Sequence, residues 1–145
     1  MKKIRRFFII IFTVVVMAAV LTGCGQMNTV EGLIVTDEPF TEREDIEKAK
    51  QPEEVSAGKD IYGSVYFIES PKGMEYTGKW YVNGEEVKSD AKETTTDMCG
   101  SVVYKLEKDR VKEGTLKFEV IYKDQVISSR AVSYTHLVLV QMPWP

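Results

Sequence analysis

Two cysteines and one histidine are the side chains of this sequence best suited to nucleophilic or metal chemistry. Cys24 follows Leu21-Thr22-Gly23, Cys99 stands alone in the second half of the chain, and His136 lies near its end. Ser-His-Asp and Cys-His catalysis both need a histidine beside the nucleophile, and an ordinary zinc site needs several Cys or His ligands. The sequence has no GxxxxGK[ST] or GxGxxG phosphate-binding motif either. His136 lies in the segment 132–145, which we predict to be foreign to the natural protein, so no histidine is left for this chemistry. We therefore expect no enzymatic activity, no metal and no other cofactor.

The first 23 residues have the order of a secretory signal peptide. The segment from Met1 to Arg6 is basic, and the segment from Phe7 to Val20 carries no charge. A basic start, a short apolar run and small residues before a cleavage point are typical of exported proteins. The apolar run is shorter than the ~20 residues of a membrane-spanning helix. The sequence therefore predicts a cleaved leader over residues 1–23 rather than a retained anchor.

Leu21-Thr22-Gly23-Cys24 resembles the lipobox of bacterial lipoproteins, and this resemblance covers only the first 24 residues. In that family the chain is cut between the positions of Gly23 and Cys24, and the cysteine thiol carries diacylglycerol. Two acyl chains give stable membrane attachment, whereas one chain holds a protein only marginally. The resemblance thus implies an extracytoplasmic protein that is lipid-anchored to the bacterial membrane through Cys24.

The charge of the chain becomes more negative once the leader is set aside. The whole chain has a formal net charge of −3, and removal of the four basic residues of the leader changes this to −7. Binding to nucleic acid requires a basic face that neutralises phosphates. We therefore expect no nucleic-acid partner.

Cys99 is expected to be structural rather than reactive. If Cys24 is acylated, no second cysteine is left to form an intrachain disulfide with Cys99. A lone cysteine between Met98 and Gly100 is typical of a small half-buried side chain. A reactive or intermolecular thiol is the alternative.

Residues 132–145 are predicted to be foreign to the natural protein. The segment Val132-Ser133-Tyr134-Thr135-His136-Leu137 resembles one reading frame of the transposase mosaic end, a DNA adapter used to prepare sequencing libraries. In this frame the preceding codon must end in CT, so it can encode only Ala, Ser, Pro or Thr, and Ala131 fits. If the adapter was read through, His136 has no function and the natural chain continues differently after Ala131. The alternative is a genuine last strand followed by an apolar tail.

Residues 24–54 are predicted to be a lipidated, acidic and flexible tether. The chain from Thr29 to Asp60 has ten acidic and four basic residues, a net charge of −6, and few apolar residues. Residues 31–36 have the composition of a short strand, and residues 41–50 that of one or two helical turns. The acidic residues do not follow the order of a Ca²⁺-binding loop. A solvated spacer is therefore expected here.

Between residues 55 and 131, apolar residues recur with the period of two that is typical of β-strands. The alternation is clearest from Leu116 to Tyr122. Asn83-Gly84 lies between two apolar runs and predicts a hairpin, because a type I′ turn needs positive φ at both central residues. The segment predicts six or seven short strands and no convincing helix. We therefore expect an all-β domain over residues 55–131.

This strand pattern resembles the immunoglobulin-like and fibronectin type III-like modules of bacterial proteins. Trp80 lies in a central predicted strand, and a long predicted strand follows a corner at Gly114. The Cys-Trp-Cys signature of true immunoglobulin domains is absent. The resemblance implies a small antiparallel β-sandwich with Trp80 in its core. A small open barrel is the alternative.

Tyr66 and Tyr81 are the candidate binding residues of the predicted domain. If Phe67 and Trp80 point inward, alternation turns Tyr66 and Tyr81 outward, on strands that we predict to be neighbours. An exposed tyrosine pair on a sheet can bind a peptide or a glycan. The alternative, which we favour, is that both rings are covered or paired across strands.

These features together predict a non-catalytic cell-envelope lipoprotein with a binding or spacer module. The expected partners are membrane lipid, through Cys24, and an envelope protein or a glycan. Two other functions stay open at this point. One is an accessory subunit of a membrane transporter or sensor, and the other is a truncated piece of a larger envelope enzyme.

Overall fold

The computed structural model describes residues 28–135 of the chain. These residues form eight β-strands, one short α-helix, α1 (Arg43–Lys48), and one 3-10 turn (Lys108–Arg110). The strands are β1 (Thr29–Thr36), β2 (Glu54–Ser56), β3 (Ile61–Ser70), β4 (Glu75–Val82), β5 (Glu85–Glu93), β6 (Met98–Leu106), β7 (Gly114–Tyr122) and β8 (Gln125–Thr135). Within this part of the chain, no helix has the length and hydropathy that a membrane span requires.

The strands form two sheets with a shared core. The smaller sheet has the order β1-β3-β6, and the larger sheet has the order β2-β8-β7-β4-β5. Neighbouring strands are antiparallel, except that β2 is parallel to β8. The two separate sheets make the domain a β-sandwich, as predicted, rather than an open barrel. It has eight strands instead of the six or seven expected from the sequence.

The core lies between the two sheets, where the inward side chains of both meet. On β4, Tyr76, Trp80 and Val82 are buried, while the side chains between them are partly exposed. The ring of the fully buried Trp80 lies 4.5 Å, centroid to centroid, from that of Phe118 on β7. The core also contains Leu33, Val35, Val55, Ile61, Val65, Phe67, Val102, Tyr104, Leu106, Val111, Leu116, Val120, Val132 and Tyr134. The prediction that Trp80 is a core residue is confirmed.

Two glycines allow aromatic rings of one sheet to lie against the backbone of the other. A Cβ atom added to Gly63 on β3 would come within 2.7 Å of the Phe118 ring, and one added to Gly78 on β4 within 2.5 Å of the Tyr104 ring. Non-bonded carbon atoms prefer separations of about 3.5–4.0 Å. A larger residue at either position would therefore force the aromatic ring or the backbone to move.

The predicted hairpin at Asn83-Gly84 connects β4 and β5. Asn83 and Gly84 have φ angles of 51° and 82°, and Val82 pairs with Glu85 across the turn. Positive φ at both central residues is the geometry of a type I′ turn, so the prediction is confirmed. The turn at Lys123-Asp124, between β7 and β8, also has positive φ at both residues, without a glycine.

Residues 28–54 belong to the folded domain, so the prediction of a flexible tether is wrong for this part of the chain. β1 pairs with β3 along its length, and β2 pairs with β8. Leu33 and Val35 belong to the main core, whereas Ile34 packs with Ile46 of α1 on the outer face of the small sheet. Both faces of β1 are therefore covered, and the acidic residues lie around it rather than along a solvated spacer.

β8 extends to Thr135, beyond the domain boundary that was predicted at Ala131. Val132 and Tyr134 are only 4% and 2% exposed, and the Tyr134 hydroxyl oxygen accepts a hydrogen bond of 3.1 Å from the N–H of Gly58. Residues 132–135 thus complete the last strand of the sandwich. The adapter origin of this segment stays a prediction.

β1 and β8 begin at the same end of the sandwich and run in the same direction. Asn28, just before β1, and Gln125, the first residue of β8, line the same groove. β8 has eleven residues, which span about 35 Å in an extended strand. Asn28 and Thr135 therefore lie at opposite ends of the sandwich, which we call the Asn28 end and the far end. The Asn83-Gly84 turn is at the far end.

Candidate functional site

The predicted lipidation residue, Cys24, and the predicted cleavage residue, Gly23, lie outside the described residues, and so does His136. Lipidation and leader cleavage therefore stay predictions. The first described residue, Asn28, is four positions after Cys24. The part of the structure nearest to the predicted anchor is thus the Asn28 end.

Asn28 is fixed to the sandwich by both its backbone and its side chain. Its φ of 64° lies in the left-handed region, which asparagine adopts more readily than most residues. Its N–H donates to the carbonyl oxygen of Glu69 at 2.9 Å, and its Oδ1 accepts from the Tyr76 hydroxyl at 2.9 Å. Burial raises the pKa of Tyr76 above its usual value, so this hydroxyl keeps its proton. The first described residue is therefore already fixed to the folded domain.

A groove of about 480 Å³ opens beside Asn28. One wall is the start of β1, up to Val30, and the other is the β7-β8 hairpin, with Tyr122 and the residues from Gln125 to Ile127. The groove carries both apolar and polar side chains. It separates the two sheets at the end where the chain arrives from Cys24.

Val126 and Met98 are the large apolar side chains that the described residues leave exposed, at 54% and 50%. Val126 lines the groove beside Asn28. Met98 pairs with Ser70 at the end of β3, and the adjacent Glu69 accepts the hydrogen bond from Asn28. Both exposed apolar residues therefore lie at the Asn28 end.

The structure places Tyr66 and Tyr81 in different sheets. Tyr66 is on β3 of the three-stranded sheet, and Tyr81 is on β4 of the five-stranded sheet. Both side chains point away from the core, as the alternation predicted, but they do so on opposite outer faces. The prediction that the two tyrosines lie on neighbouring strands is wrong, and they do not form one surface.

Tyr66 is covered by the segment that contains α1. It is 9% exposed and packs with Ile34 and Ile46, and the Arg43 guanidinium carbon lies 5.4 Å from its ring centroid. A hydrogen bond with Cys99 and, second, burial raise the pKa of Tyr66 above its usual value. The ring is therefore not available for stacking against a ligand.

Tyr81 is half-buried by charged neighbours on its own sheet. The Lys117 Nζ lies 4.6 Å from the Tyr81 ring centroid and 2.9 Å from the Glu119 carboxylate. Burial and then the negative charge of Glu119 raise the pKa of Tyr81. A ligand that stacked on this ring would first have to displace the Lys117 ammonium.

Cys99 is exposed, so the prediction of a half-buried side chain is wrong. It lies opposite Ile68 in the β3-β6 ladder, on the same outer face as Tyr66. β6 is an edge strand of the small sheet, and among residues 28–135 no further strand pairs with its free edge. The sequence around Cys99 does not reveal this, because edge position is a property of the whole sheet.

Lysines of β5 bind the backbone of β6 across the open side of the sandwich. The Nζ of Lys88 donates to the carbonyl oxygen of Lys105, and the Nζ of Lys92 to that of Val103, each at 2.7 Å. β5 and β6 are edge strands of different sheets. The structural role of these lysines was not predicted from the sequence. The signal that could have pointed to it is the run of charged residues from Glu85 to Glu93, because charged side chains are typical of edge strands.

Side chains also form hydrogen bonds with backbone groups at the free edge of β1. The amide of Gln51 accepts from the N–H of Val35 and donates to its carbonyl oxygen, both at 2.8 Å. Arg130 on β8 donates to the carbonyl oxygen of Leu33 at 3.2 Å. Side chains thus occupy backbone groups that an additional strand would otherwise use.

The acidic residues near the start of the domain form ion pairs. Arg43 lies 2.7 Å from both Glu31 and Glu47, and Lys59 lies 3.0 Å from Asp37. Across residues 28–135, no group of three or more His, Cys, Asp or Glu side chains is placed to hold a metal ion. The arrangement of charges is that of a hydrated surface.

No protein-family model matches the sequence, and no curated protein sequence matches it. Among solved structures, an immunoglobulin-like protein from Pseudomonas aeruginosa matches with a TM-score of 0.52 and 10% sequence identity, over 78% of this chain and 100% of that chain. The fold is immunoglobulin-like. The predicted fold class is therefore confirmed, while at this level of identity the match shows the fold alone.

Two further solved structures also match the chain. A β-glucosidase from Listeria innocua is 12% identical, and the match covers 77% of this chain but 17% of the glucosidase, with a TM-score of 0.46. The CARDB domain of a Pyrococcus furiosus protein, solved with di-metal ions, is 11% identical over 76% of this chain and 90% of that domain, with a TM-score of 0.40. Both TM-scores are too low to add to the fold assignment.

Proposed function

We propose that this chain is a lipid-anchored protein of the bacterial cell envelope and that its immunoglobulin-like sandwich is a non-catalytic spacer module. The observation that carries the proposal is the closeness in sequence of the lipobox cysteine to the folded domain. Cys24 is followed by three residues and then by Asn28, which is hydrogen-bonded into the sandwich. A leader that ends in a lipobox and joins a folded domain this closely serves to attach that domain to a membrane.

The direction of the strands supports a spacer. β1 starts at the Asn28 end, and β8 finishes at the far end, about 35 Å away along an extended strand. Chain that follows Thr135 therefore starts at the end opposite to the predicted anchor. A module with this arrangement holds whatever follows it away from the lipid surface.

The distribution of tyrosines gives less support to a binding module. Tyr66 is covered by α1 and its neighbours, and Tyr81 carries the Lys117 ammonium over its ring. Since they lie on opposite faces, they offer no joint surface to a glycan or an envelope protein. Such a partner would have to use another part of the domain.

The attachment is tested by replacing Cys24 and fractionating the cells that produce the protein. Cys24→Ala is compared with the wild type and with Cys99→Ala, which removes the exposed cysteine without touching the lipobox. We expect the wild type and Cys99→Ala in the membrane fraction, with an acylated N-terminal cysteine by mass spectrometry. Cys24→Ala should lack the acyl mass and keep its leader. If all three are equally membrane-bound and unprocessed, the anchor lies elsewhere and the proposal is wrong.

A further inference from the structure

We infer that the Asn28 end of the sandwich rests on the lipid surface to which the chain is anchored, with Val126 and Met98 as its apolar contacts. The inference depends on the proposed lipidation of Cys24 and adds to it the orientation of the domain. The bilayer itself covers the groove and the exposed apolar residues at this end.

The length of chain between the anchor and the domain limits their separation. Four Cα–Cα steps lead from Cys24 to Asn28, so the two Cα atoms can be at most about 15 Å apart. The headgroup layer of one leaflet is itself about 5–8 Å thick. Because Asn28 is bonded to Glu69 and Tyr76, this limit applies to the body of the sandwich.

The exposed apolar side chains lie at the end that this limit brings to the membrane. Val126 and Met98 are 54% and 50% exposed, and Val126 also lines the groove beside Asn28, together with Val30 and Ile127. Single exposed apolar residues are normal on protein surfaces. Val126 on β8 and Met98 on β6 are both at the end that carries the predicted anchor, where contact with lipid would cover each of them.

The charges at this end indicate that the contact is apolar rather than electrostatic. Lys72 and Lys123 are exposed there, but so are Glu69, Asp97 and Asp124. Acidic residues outnumber basic ones, so an anionic lipid surface does not attract this end. The contact should therefore form at least as well on a zwitterionic bilayer as on an anionic one.

A weak contact is enough to orient the domain, because the anchor makes it intramolecular. A short linker holds its two ends at an effective concentration in the millimolar range. The linker does not hold the far end near the membrane in this way.

The far end provides the control positions for a test. β4, with eight residues, separates the two ends by about 26 Å. Residues beside the Asn83-Gly84 turn are therefore suitable controls.

The test measures how close each end lies to the lipid headgroups. The full acylated chain, carrying Cys99→Ser, is reconstituted in phosphatidylcholine vesicles that contain a lipid with a nitroxide on its headgroup. A fluorophore is attached at Val126→Cys, or at Gln125→Cys as a second exposed site, and at Glu85→Cys as the far-end control. We expect at least threefold stronger quenching at positions 125 and 126 than at position 85, and weaker quenching at 125 when Val126 and Met98 are both changed to Ser.

Each other outcome overturns the inference in a distinguishable way. Equal quenching at both ends of a chain whose mass includes the acyl group rejects the orientation and leaves the proposed function intact. A chain without the acyl mass that does not remain on the vesicles rejects both. Energy transfer between labelled chains that grows with protein density shows that a second copy, rather than lipid, covers the Asn28 end, and it rejects the inference too.

Discussion

The indole of Trp80 is completely buried, and its Nε1 has no hydrogen-bond partner among the described residues. A buried donor without a partner costs about 1–3 kcal/mol of stability. The contacts of the ring with Phe118 and the rest of the core must outweigh that cost. Trp80 is therefore retained for its volume and not for its polar atom.

Replacing Trp80 by Ala should destabilise the domain by about 3–5 kcal/mol, because the change leaves a large cavity between the sheets. Chemical unfolding followed by circular dichroism measures the change. Tyr81→Ala is the matched control, since Tyr81 is adjacent in sequence but points outward, and it should cost well under half as much. A Trp80→Ala variant that melts within a degree or two of the wild type would show that Trp80 is not a core residue.

Tyr104 contributes to the pH dependence of stability in a way that its own substitution can isolate. It is fully buried and donates a hydrogen bond of 2.8 Å to the carbonyl oxygen of Tyr76. Burial, followed by the negative charge of Asp90, raises the pKa of Tyr104 far above its usual value. In the unfolded chain the same phenol ionises near pH 10, so the folded state binds the proton more tightly than the unfolded state.

The stability of the domain should therefore be fully present below pH 10 and fall above it, by up to about 1.4 kcal/mol per pH unit for this group. Tyr104→Phe should flatten that fall, although it should also lower stability at neutral pH by about 1 kcal/mol through the lost hydrogen bond. Urea unfolding at a series of pH values from 8 to 11.5 tests this, with Tyr62→Phe on the outer face as the control. Identical slopes for wild type and Tyr104→Phe would contradict the prediction.

At the scale of the elements, the unpaired edges of the sheets are a source of association that this domain suppresses with side chains. Lys88 and Lys92 bind carbonyl oxygens of β6, and Lys88 also bonds the Glu107 carboxylate at 2.9 Å. That hydrogen bond is the main cause of the lowered pKa of Glu107. An edge strand with free backbone groups is a template for pairing with another chain.

Replacing both Lys88 and Lys92 by Met should free the backbone carbonyl oxygens of β6 and cause self-association that increases with concentration. Size-exclusion chromatography with light scattering, in detergent that keeps the acyl anchor soluble, measures the mass of the particles. The control changes the exposed Lys108 and Lys112 to Met, so that the net charge changes equally while the edge stays covered. If both double variants associate to the same extent, Lys88 and Lys92 do not prevent self-association through β6, and the prediction is wrong.

The elements that the sequence predicts well are those with one solvated face. β4 and β7 show the period of two because one face meets the core and the other meets water. β1 was predicted as a short strand, but its place in the folded core was missed, for the opposite reason. Ile34 is covered by α1 while Leu33 and Val35 face the core, so the apolar residues are consecutive and the surrounding acidic residues dominate the composition.

The candidate binding site was predicted less well because it depends on which strands become neighbours. Alternation gives the face that Tyr66 and Tyr81 occupy, and that part is correct. It does not show that β3 and β4, although consecutive in the chain, join different sheets. Long-range pairing decides this, and the same holds for the edge position of β6, which leaves Cys99 exposed.

At the scale of the whole molecule, the last four described residues are part of the stable fold. A chain that stops after Ala131 loses the buried side chains of Val132 and Tyr134 and the strand that β2 pairs with. Each such side chain contributes about 1.5–3 kcal/mol, so this truncation should cost roughly 3–6 kcal/mol. A chain that stops after Thr135 is the control. Equal denaturant midpoints for the two truncations would contradict the prediction.

This burial also constrains the natural gene, if residues 132–145 come from adapter DNA. Because β8 alternates between the core and solvent, the natural residues at positions 132 and 134 should be apolar. Resequencing the locus with a different library method tests this. Polar residues at both positions would mean that the natural strand ends earlier than the one described here.

The shared direction of β1 and β8 has a mechanical consequence. A pull between the membrane and any object attached beyond Thr135 would act along these strands, nearly perpendicular to the hydrogen bonds that join β1 to β3 and β8 to β7. Loaded in shear, the bonds of a ladder share the force and must break together, whereas a pull from one side would open them one after another. The sandwich is thus oriented to bear tension transmitted through its own chain.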